Sequence, residues 1–305
     1  MKILVLGGAG YKGLMLSSKL LENNNEVTIY DNFMYGYDSS LFLFKYPKVT
    51  FIQKDIRNIE EKDVAPYDMI FHLAGISGYP ACEANPNSAH TINITATKSL
   101  VSLLSKEQIL INPSTTSFYG NSGTLCTEES PITPISLYGI TKYEAEKICM
   151  ERENSISFRF ATIFGVAPRM RWDLMPNDFV MRAVQERALV LFDSKSVRTF
   201  LHIDDAIRSY MMVFDNLKVM KGNVYNVGDE SMNLSKMQLA EIIKKYVDFS
   251  INDSTLPDFD GRNFIIQFDK IARLGFTPQK TLEDGIKDLI KFFKFYKPTR
   301  PFNVI

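Results

Sequence analysis

The 305-residue chain carries 35 basic and 35 acidic side chains, and 45% of its residues are hydrophobic. This balance excludes an extended basic surface for duplex nucleic acid or an anionic membrane. The sequence contains no run of about eighteen apolar residues, and Cys82, Cys126 and Cys149 are too few and too scattered for a disulfide framework or a zinc site. We therefore predict a globular cytoplasmic protein with no bound metal, no nucleic-acid partner and no membrane partner.

Short apolar runs alternate with helical patterns along most of the chain. This alternation is typical of an α/β fold, and we predict a Rossmann-type doubly wound parallel sheet. The predicted strands are 3–6, 27–30, 49–53, 69–73, 109–113, 157–161 and 224–227. The predicted helices are 13–23, 88–106, 136–152, 176–185, 204–215, 235–246 and 281–296.

The first predicted strand leads directly into a turn that contains Gly7, Gly10 and Gly13. Glycines allow a tight turn and let a pyrophosphate approach the free N–H groups of the following helix. The second strand ends in Asp31, whose carboxylate can accept hydrogen bonds from both adenosine ribose hydroxyls and would repel a 2′-phosphate. The pattern predicts a site for NAD rather than NADP. The alternative is a flavodoxin-like turn with an Asp that caps a helix.

The strand and helix rhythm changes after residue 164, where Pro168, Arg169, Arg171 and Trp172 follow one another closely. We predict two interwoven parts: a dinucleotide-binding domain over 1–165, to which 199–228 return, and a smaller C-terminal α/β substrate lobe over 166–305. Because ligands of open α/β sheets bind at the carboxyl ends of the strands, the lobe is expected to cover that edge. The aromatic helix 281–296 is expected to dock on its own domain.

Two polar motifs carry the predicted chemistry. Tyr138 and Lys142 lie one helical turn apart at the start of helix 136–152. A phenol normally titrates near ~10, so it needs a nearby ammonium to act as a base close to neutral pH. The strand 109–113 ends in a run of hydroxyl side chains, one of which could hold the substrate oxygen. The alternatives are a chance surface pair and a loop whose hydroxyls bond their own backbone.

In combination, these motifs resemble the extended short-chain dehydrogenases/reductases, in the NAD-dependent epimerase/dehydratase group that acts on nucleotide sugars. The resemblance spans essentially the whole chain, through GGAGYKG, YDN, KDIRN, HLAG, STTSFYG, YGITK, RFATIFG and RTFLHIDD. It implies a catalytic trio of Thr115, Tyr138 and Lys142. It also implies that tightly bound NAD contacts Gly7, Gly10, Tyr11, Gly13, Asp31, Asn32, Asp55, Ile56, Leu73, Ala74, Gly75, Asn93, Tyr138 and Lys142.

The resemblance also implies a nucleotide-sugar partner, GDP- or UDP-linked, and a homodimer formed through the helices near 88–106 and 136–152. Arginine forks suit the diphosphate of such a substrate. Phe118 is expected to line the sugar pocket, whereas His72 is expected to be structural. The implied substrate-binding residues are Tyr79, Thr116, Asn177, Arg198 and Arg262.

The residues that follow Thr115 narrow the implied reaction. Dehydratases of this group usually carry an Asp-Glu pair there, and decarboxylases commonly carry Glu, whereas this chain has Thr116 and Ser117. The leading expectation is NAD-dependent oxidation at the sugar 4-position by a GDP-heptose 4-dehydrogenase of capsule polysaccharide biosynthesis. The alternatives are a nucleotide-sugar 4-epimerase with a transient 4-keto intermediate, a 4,6-dehydratase and a non-catalytic NAD-binding sensor.

Overall fold

The computed structural model describes residues 1–258 and 260–298. Its strands are β1 (Lys2–Leu6), β2 (Glu26–Asp31), β3 (Val49–Gln53), β4 (Met69–His72), β5 (Ile109–Thr115), β6 (Leu125–Cys126), β7 (Ser155–Phe160), β8 (Thr162–Phe164), β9 (Ala188–Phe192), β10 (Val197–His202), β11 (Asn223–Val227), β12 (Asn233–Ser235), β13 (Ser250–Ser254) and β14 (Ile265–Ile266). Its helices are α1 (Tyr11–Glu22), α2 (Glu61–Val64), α3 (Tyr79–Ala84), α4 (Pro86–His90), α5 (Ala96–Leu103), α6 (Leu137–Met150), α7 (Met175–Gln185), α8 (Ile203–Met211), α9 (Val213–Met220), α10 (Lys236–Lys244), α11 (Asp269–Ala272) and α12 (Leu282–Phe295).

A seven-stranded parallel sheet with the order β11-β7-β5-β4-β1-β2-β3 forms the centre of the fold. Residues 3–6 of β1 are fully buried, because the strand lies between β4 and β2 with helices on both faces of the sheet. The predicted α/β fold with a doubly wound parallel sheet is confirmed. The carboxyl ends of the seven strands lie at one edge of this sheet. The glycine turn follows β1 at this edge, the hydroxyl run lies at the end of β5, and Asp31 is the last residue of β2.

The predicted helix 88–106 is interrupted in the structure. α4 ends at His90, a π-helical turn occupies Thr91–Thr95, and α5 begins at Ala96 and ends at Leu103. Single π turns inside helices widen the backbone locally and are frequent at functional sites. Here the turn contains Asn93, whose buried amide reaches the loop after β4.

The second half contains strands that sequence reasoning missed. β12, β10 and β8 form one small sheet, and β13 with β9 and β14 with β6 form two others. The chain returns to the large sheet through α8, α9 and β11. β10 overlaps the predicted returning segment 199–228, but it pairs with β8 and β12 and not with the large sheet. Four of these strands, β6, β8, β12 and β14, have only two or three residues, which is too short to show a period in the sequence.

The C-terminal helix α12 docks on its own chain, as expected. Thr281 caps the helix in a capping box, and Leu289 and Phe293 lie on the buried face. Trp172 stacks on Phe292 and Tyr296, with ring centroids 6.1 and 5.6 Å apart. None of the helices in the described residues has the length and apolar character needed to cross a membrane.

Candidate active site

The glycine turn after β1 is shaped for close backbone approach. A Cβ at Gly7, whose φ is +74°, would lie 2.5 Å from the Ala74 nitrogen, and one at Gly13 would lie 2.4 Å from the Gly7 oxygen. Gly10 is the N-cap of α1 and has no side chain to satisfy the first N–H groups of the helix. These free donors and the positive end of α1 fit the diphosphate of a dinucleotide.

Asp31 lies beside this turn at the end of β2. Its carboxylate accepts hydrogen bonds from the Ala9 and Phe33 nitrogens, each at 2.9 Å, while burial raises its pKa. Asn32 is exposed and accepts from the Met34 nitrogen at 3.1 Å. The guanidinium of Arg169, from the second half of the chain, lies 3.6 Å from the ring centroid of Tyr35. This end of the crevice has the carboxylate and aromatic groups that an adenosine would contact.

The next predicted cofactor residues line the same edge. Asp55 receives a two-pronged ion pair from Arg57, at 2.7 and 2.9 Å, and caps the short 3₁₀ turn Ile56–Asn58. Leu73, Ala74 and Gly75 follow β4, and the Ala74 backbone packs directly against Gly7. The structure therefore brings these loops together around the glycine turn.

Tyr11 and Asn93 are predicted cofactor contacts whose side chains are instead bonded to the protein. The Tyr11 hydroxyl donates to the Gly165 carbonyl at 2.6 Å, which ties the glycine turn to the loop after β8. The Asn93 amide donates to the Ile76 carbonyl and to the Thr141 hydroxyl, and its oxygen accepts from the Ile76 nitrogen. With both amide hydrogens used, Asn93 holds the loop after β4 against α6.

Thr115, Tyr138 and Lys142 belong to the end of β5 and the start of α6. The Thr115 hydroxyl accepts from the Ser117 nitrogen at 3.1 Å and contacts the Ser117 hydroxyl at 3.0 Å, so part of the hydroxyl run does bond its own loop. The side chains of Tyr138 and Lys142 are partly exposed and have no hydrogen-bond partner among the described residues. Burial lowers the pKa of the Lys142 ammonium.

A buried ion pair fixes α6 against the sheet. Glu146, one turn after Lys142, binds Arg159 of β7 at 2.7 Å and accepts from the Ser157 hydroxyl at 3.1 Å. The Arg159 guanidinium also donates to the Tyr119 hydroxyl at 2.8 Å. Sequence reasoning missed this pair because one partner lies on a helix and the other on a strand, although an acid at i+4 from Lys142 is a visible signal.

Arg198 and Arg262 lie side by side and share one carboxylate. The Arg198 guanidinium, 2% exposed, donates to the carbonyls of Asp260 and Arg262, and its Nε has no partner among the described residues. Arg262 binds the Asp260 carboxylate and the Ser117 hydroxyl. Burial, and then the Arg262 charge, lower the pKa of Arg198 to about 10. Guanidinium groups held in place in this way are donors of the kind that binds a diphosphate.

Three other predicted substrate contacts have buried side chains with partners in the protein. The Thr116 hydroxyl donates to the Phe160 carbonyl at 3.2 Å. The Asn177 amide binds the Gly165 nitrogen and the Arg171 carbonyl, at 3.0 and 2.8 Å. The prediction that Phe118 lines the sugar pocket is wrong: it is fully buried, with the Arg159 guanidinium 5.1 Å from its ring centroid.

Tyr79 and Arg171 lie at the segment that follows β4. Tyr79 is partly exposed at the first residue of α3. Arg171 pairs with Asp173 at 2.5 Å and donates to the Ser77 carbonyl at 3.2 Å. Sequence reasoning missed Lys12, whose Nζ lies 4.9 Å from the ring centroid of Phe160 at the end of β7. Its signal was a lysine between Gly10 and Gly13.

His72 is structural, as expected, and should make the fold acid-sensitive. Its Nε2 lies 2.7 Å from the Thr97 hydroxyl, and burial, with the Lys142 charge, lowers its pKa from 6.5 to about 3. Below pH 6.5 the His72 imidazole takes up a proton in the unfolded chain but not in the folded chain. The free energy of unfolding therefore decreases as the pH is lowered. We expect the loss from this group between pH 6.5 and about 5 to be about 2 kcal/mol.

Urea unfolding at the two pH values tests this prediction. His72→Gln should lose less stability on acidification than the wild type, whereas His90→Gln, at an exposed histidine, should match the wild type. Equal acid sensitivity of His72→Gln and the wild type would contradict the buried neutral imidazole.

The arrangement of these residues agrees with the known proteins to which the chain is similar. Residues 3–228 match the model of the NAD dependent epimerase/dehydratase family. An uncharacterized UDP-glucose epimerase of Bacillus subtilis is 28% identical, over 96% of this chain and 98% of the relative. A putative UDP-glucose 4-epimerase of Methanocaldococcus jannaschii is 26% identical over the same shares. The UDP-glucuronic acid 4-epimerase of Bacillus cereus, solved in complex with NAD, superposes with a TM-score of 0.82 at 25% identity, over 96% of both chains.

The family match covers most of the chain and includes the glycine turn, Asp31, the hydroxyl run and the Tyr138–Lys142 pair. NAD is therefore the cofactor. The chain is an enzyme of the extended short-chain dehydrogenase/reductase type, and it belongs to the NAD-dependent epimerase/dehydratase family.

Proposed function

We propose that the protein is a nucleotide-sugar 4-epimerase that acts on a UDP-sugar through a transient 4-keto intermediate. The observation that carries the proposal is the end of β5, where Thr115, Thr116 and Ser117 supply hydroxyls and no carboxylate beside α6. Elimination and decarboxylation in this group use a carboxylate there. Redox chemistry at one carbon needs only a base and a group that orients the hydroxyl.

The residues that would hold NAD follow from the site. Gly7, Gly10 and Gly13, with the N-terminus of α1, would bind the diphosphate, and Asp31 would bind the adenosine ribose. Asp55 and Ile56 would flank the adenine. Bound NAD supplies a hydride acceptor that can return the hydride to the same carbon.

The proton steps belong to Tyr138, Lys142 and Thr115. Tyr138 as phenolate takes the proton of the 4-hydroxyl while the hydrogen on C4 leaves as hydride, so C4 becomes a ketone. Lys142, one turn away, favours the phenolate by its charge, and the Thr115 hydroxyl orients the sugar oxygen. In the return step Tyr138 gives the proton back to the same oxygen.

Inversion requires that the sugar turns over while its nucleotide stays in place. Arg198 and Arg262 suit this task, because their guanidinium groups are locked by Asp260 and by backbone carbonyls. We propose that residues 166–305 act as the substrate lobe and hold the diphosphate here. A fixed anion site with a loosely held sugar allows either face of the ketone to meet the cofactor.

The related 4-epimerases are named for UDP-sugars, which favours UDP over GDP and epimerisation over net oxidation. The expected GDP-heptose substrate and capsule role have no such support. We also propose a homodimer through α5 and α6, where Ile140 leaves an apolar side chain 44% exposed.

The proposed function is tested by incubating the purified protein, without added cofactor, with UDP-glucose, UDP-N-acetylglucosamine, UDP-glucuronic acid and their GDP counterparts where available. NMR should show a 4-epimer from at least one UDP-sugar, at many turnovers per protein, with the bound cofactor oxidised at equilibrium. A 4-keto product formed once per protein, with the cofactor left reduced, would instead indicate a dehydrogenase.

Arg262→Met should raise KM for the nucleotide sugar about 10- to 100-fold and change kcat by a smaller factor. The reason is that the diphosphate contacts are the same in the ground state and the transition state, so their loss weakens binding more than chemistry. Steady-state kinetics on the substrate found above measure both constants. Arg273→Met, at an exposed arginine, is the control. A fall in kcat with unchanged KM would contradict the diphosphate role.

A further inference from the structure

Lys12 is a cation in the cofactor crevice whose role the proposed function leaves open. It is the second residue of α1, inside the glycine turn, and its Nζ lies 4.9 Å from the ring centroid of Phe160. Among residues 1–258 and 260–298 it has no hydrogen-bond or ion-pair partner. A lysine without a counter-ion at the positive end of a helix is unfavourable by itself, so a functional reason is required.

The contacts of the Lys12 side chain show where its charge lies. Phe160 ends β7 and pairs with Thr115 at the end of β5. The charges of Lys142 and of Arg171, in the loop after β8, both repel the Lys12 ammonium. Burial, followed by these two charges, lowers the pKa of Lys12 to about 7. The Lys12 charge therefore lies beside the ends of β7 and β5 and is affected by Lys142.

This position is where hydride leaves the sugar under the proposed function, because Tyr138 and Thr115 hold the same hydroxyl. The oxidised nicotinamide ring carries a formal positive charge, which it loses when it accepts a hydride. A fixed cation nearby destabilises the oxidised ring by Coulomb repulsion and leaves the neutral reduced ring almost unaffected. The negative diphosphate favours the charged form of Lys12.

We propose that Lys12 biases the bound cofactor toward its reduced form. The inference rests on the proposed function only for the place of hydride transfer. Its consequence for an epimerase is that the reduced cofactor and the ketone stay together long enough for the sugar to turn. Lys12 acts through the cofactor and is a tuning residue, with Tyr138 still the base.

A competing role for Lys12 is a plain contact with the cofactor diphosphate. The two roles differ in a measurable way, because the diphosphate is the same in NAD⁺ and NADH. Loss of a diphosphate contact weakens both ligands equally, whereas loss of a charge near the ring changes their ratio. The ratio of the two dissociation constants therefore separates the roles, and it requires no sugar.

The test strips the protein of cofactor and measures Kd for NAD⁺ and NADH by calorimetry, slightly below neutral pH. In Lys12→Met and Lys12→Gln, the ratio Kd(NAD⁺)/Kd(NADH) should fall about tenfold, which corresponds to a drop of about 30 mV in the potential of the bound couple. Lys12→Arg should keep the wild-type ratio. Lys19→Met, at an exposed lysine of the same helix, should also keep it.

An unchanged ratio in both neutral variants would overturn the proposal, whether both ligands weaken equally or neither does. Thermal unfolding shows whether Lys12→Met and Lys12→Gln are folded, and the ratio is measured on a variant that is folded. Because no substrate enters the measurement, failure of the proposed epimerase activity would leave this result readable by itself.

Discussion

Tyr138→Phe is expected to lower the epimerisation rate about 10³-fold while the protein keeps its NAD. The substitution removes only the hydroxyl that takes and returns the proton. The ring packs beside the apolar cluster of Ile76, Ala81 and Cys82, and that contact is unchanged. The rate is measured as kcat on the UDP-sugar substrate, and NAD retention as the amount released on denaturation.

Tyr143→Phe is the matched control on the same helix. Tyr143 packs against Phe118 with ring centroids 5.6 Å apart, and its hydroxyl has no partner among the described residues. This variant should turn over like the wild type. A Tyr138→Phe protein with wild-type kcat would contradict the role of the phenol as the base.

Glu146→Ala should reduce the free energy of unfolding by about 3–5 kcal/mol. Glu146 and Arg159 have side chains that are only 4% and 6% exposed, so loss of the carboxylate leaves a buried guanidinium without its counter-charge. Urea unfolding measures the effect. Glu146→Gln keeps hydrogen-bonding atoms in place and should cost less, although it also leaves the charge uncompensated.

The control for this prediction is Glu144→Ala, which removes an exposed pair with Lys147 on the same helix. Exposed pairs contribute about 0–1 kcal/mol, so little change is expected. Equal effects of the two substitutions would show that the buried pair does not hold α6 against β7. Since α6 carries Tyr138 and Lys142, the folded fraction of Glu146→Gln should also show reduced kcat.

The large sheet and the glycine turn at its edge could be predicted because their signals are local. Four apolar residues, a glycine turn and a helix follow one another within twenty-two residues, and Asp31 ends the next strand. The chemistry of Tyr138 and Lys142 is also local, since one helical turn joins them. A sequence pattern is sufficient to predict the geometry where that geometry depends only on residues that are neighbours in the sequence.

The contacts of Thr116, Asn177 and Asn93 could not be predicted, because their partners lie far away in the sequence. Thr116 donates to Phe160, and Asn177 binds Gly165 and Arg171, across pairings that only the folded chain creates. Each residue type suits a ligand and a backbone partner equally well. The protein partners of these side chains depend on the whole fold.

The second half was least predictable. β8 and β12 are short, and β10 pairs with both of them across separations of more than thirty residues in the sequence. Asp260, which binds Arg262 and lies beside Arg198, was missed because Arg198 is 62 residues away from it in the sequence. Phe118 was misplaced for a related reason: its ring turns into the core beneath the hydroxyl run instead of toward the crevice.

In the proposed mechanism, C4 of the sugar gives up a hydride and takes the same hydride back. The most direct test uses a UDP-sugar substrate with deuterium at C4 and the purified protein without added cofactor. We expect the 4-epimer to form with deuterium retained at C4 and no exchange at C5. Loss of the C4 deuterium to the cofactor with an accumulating 4-keto sugar, or solvent hydrogen at C5, would contradict the epimerase mechanism.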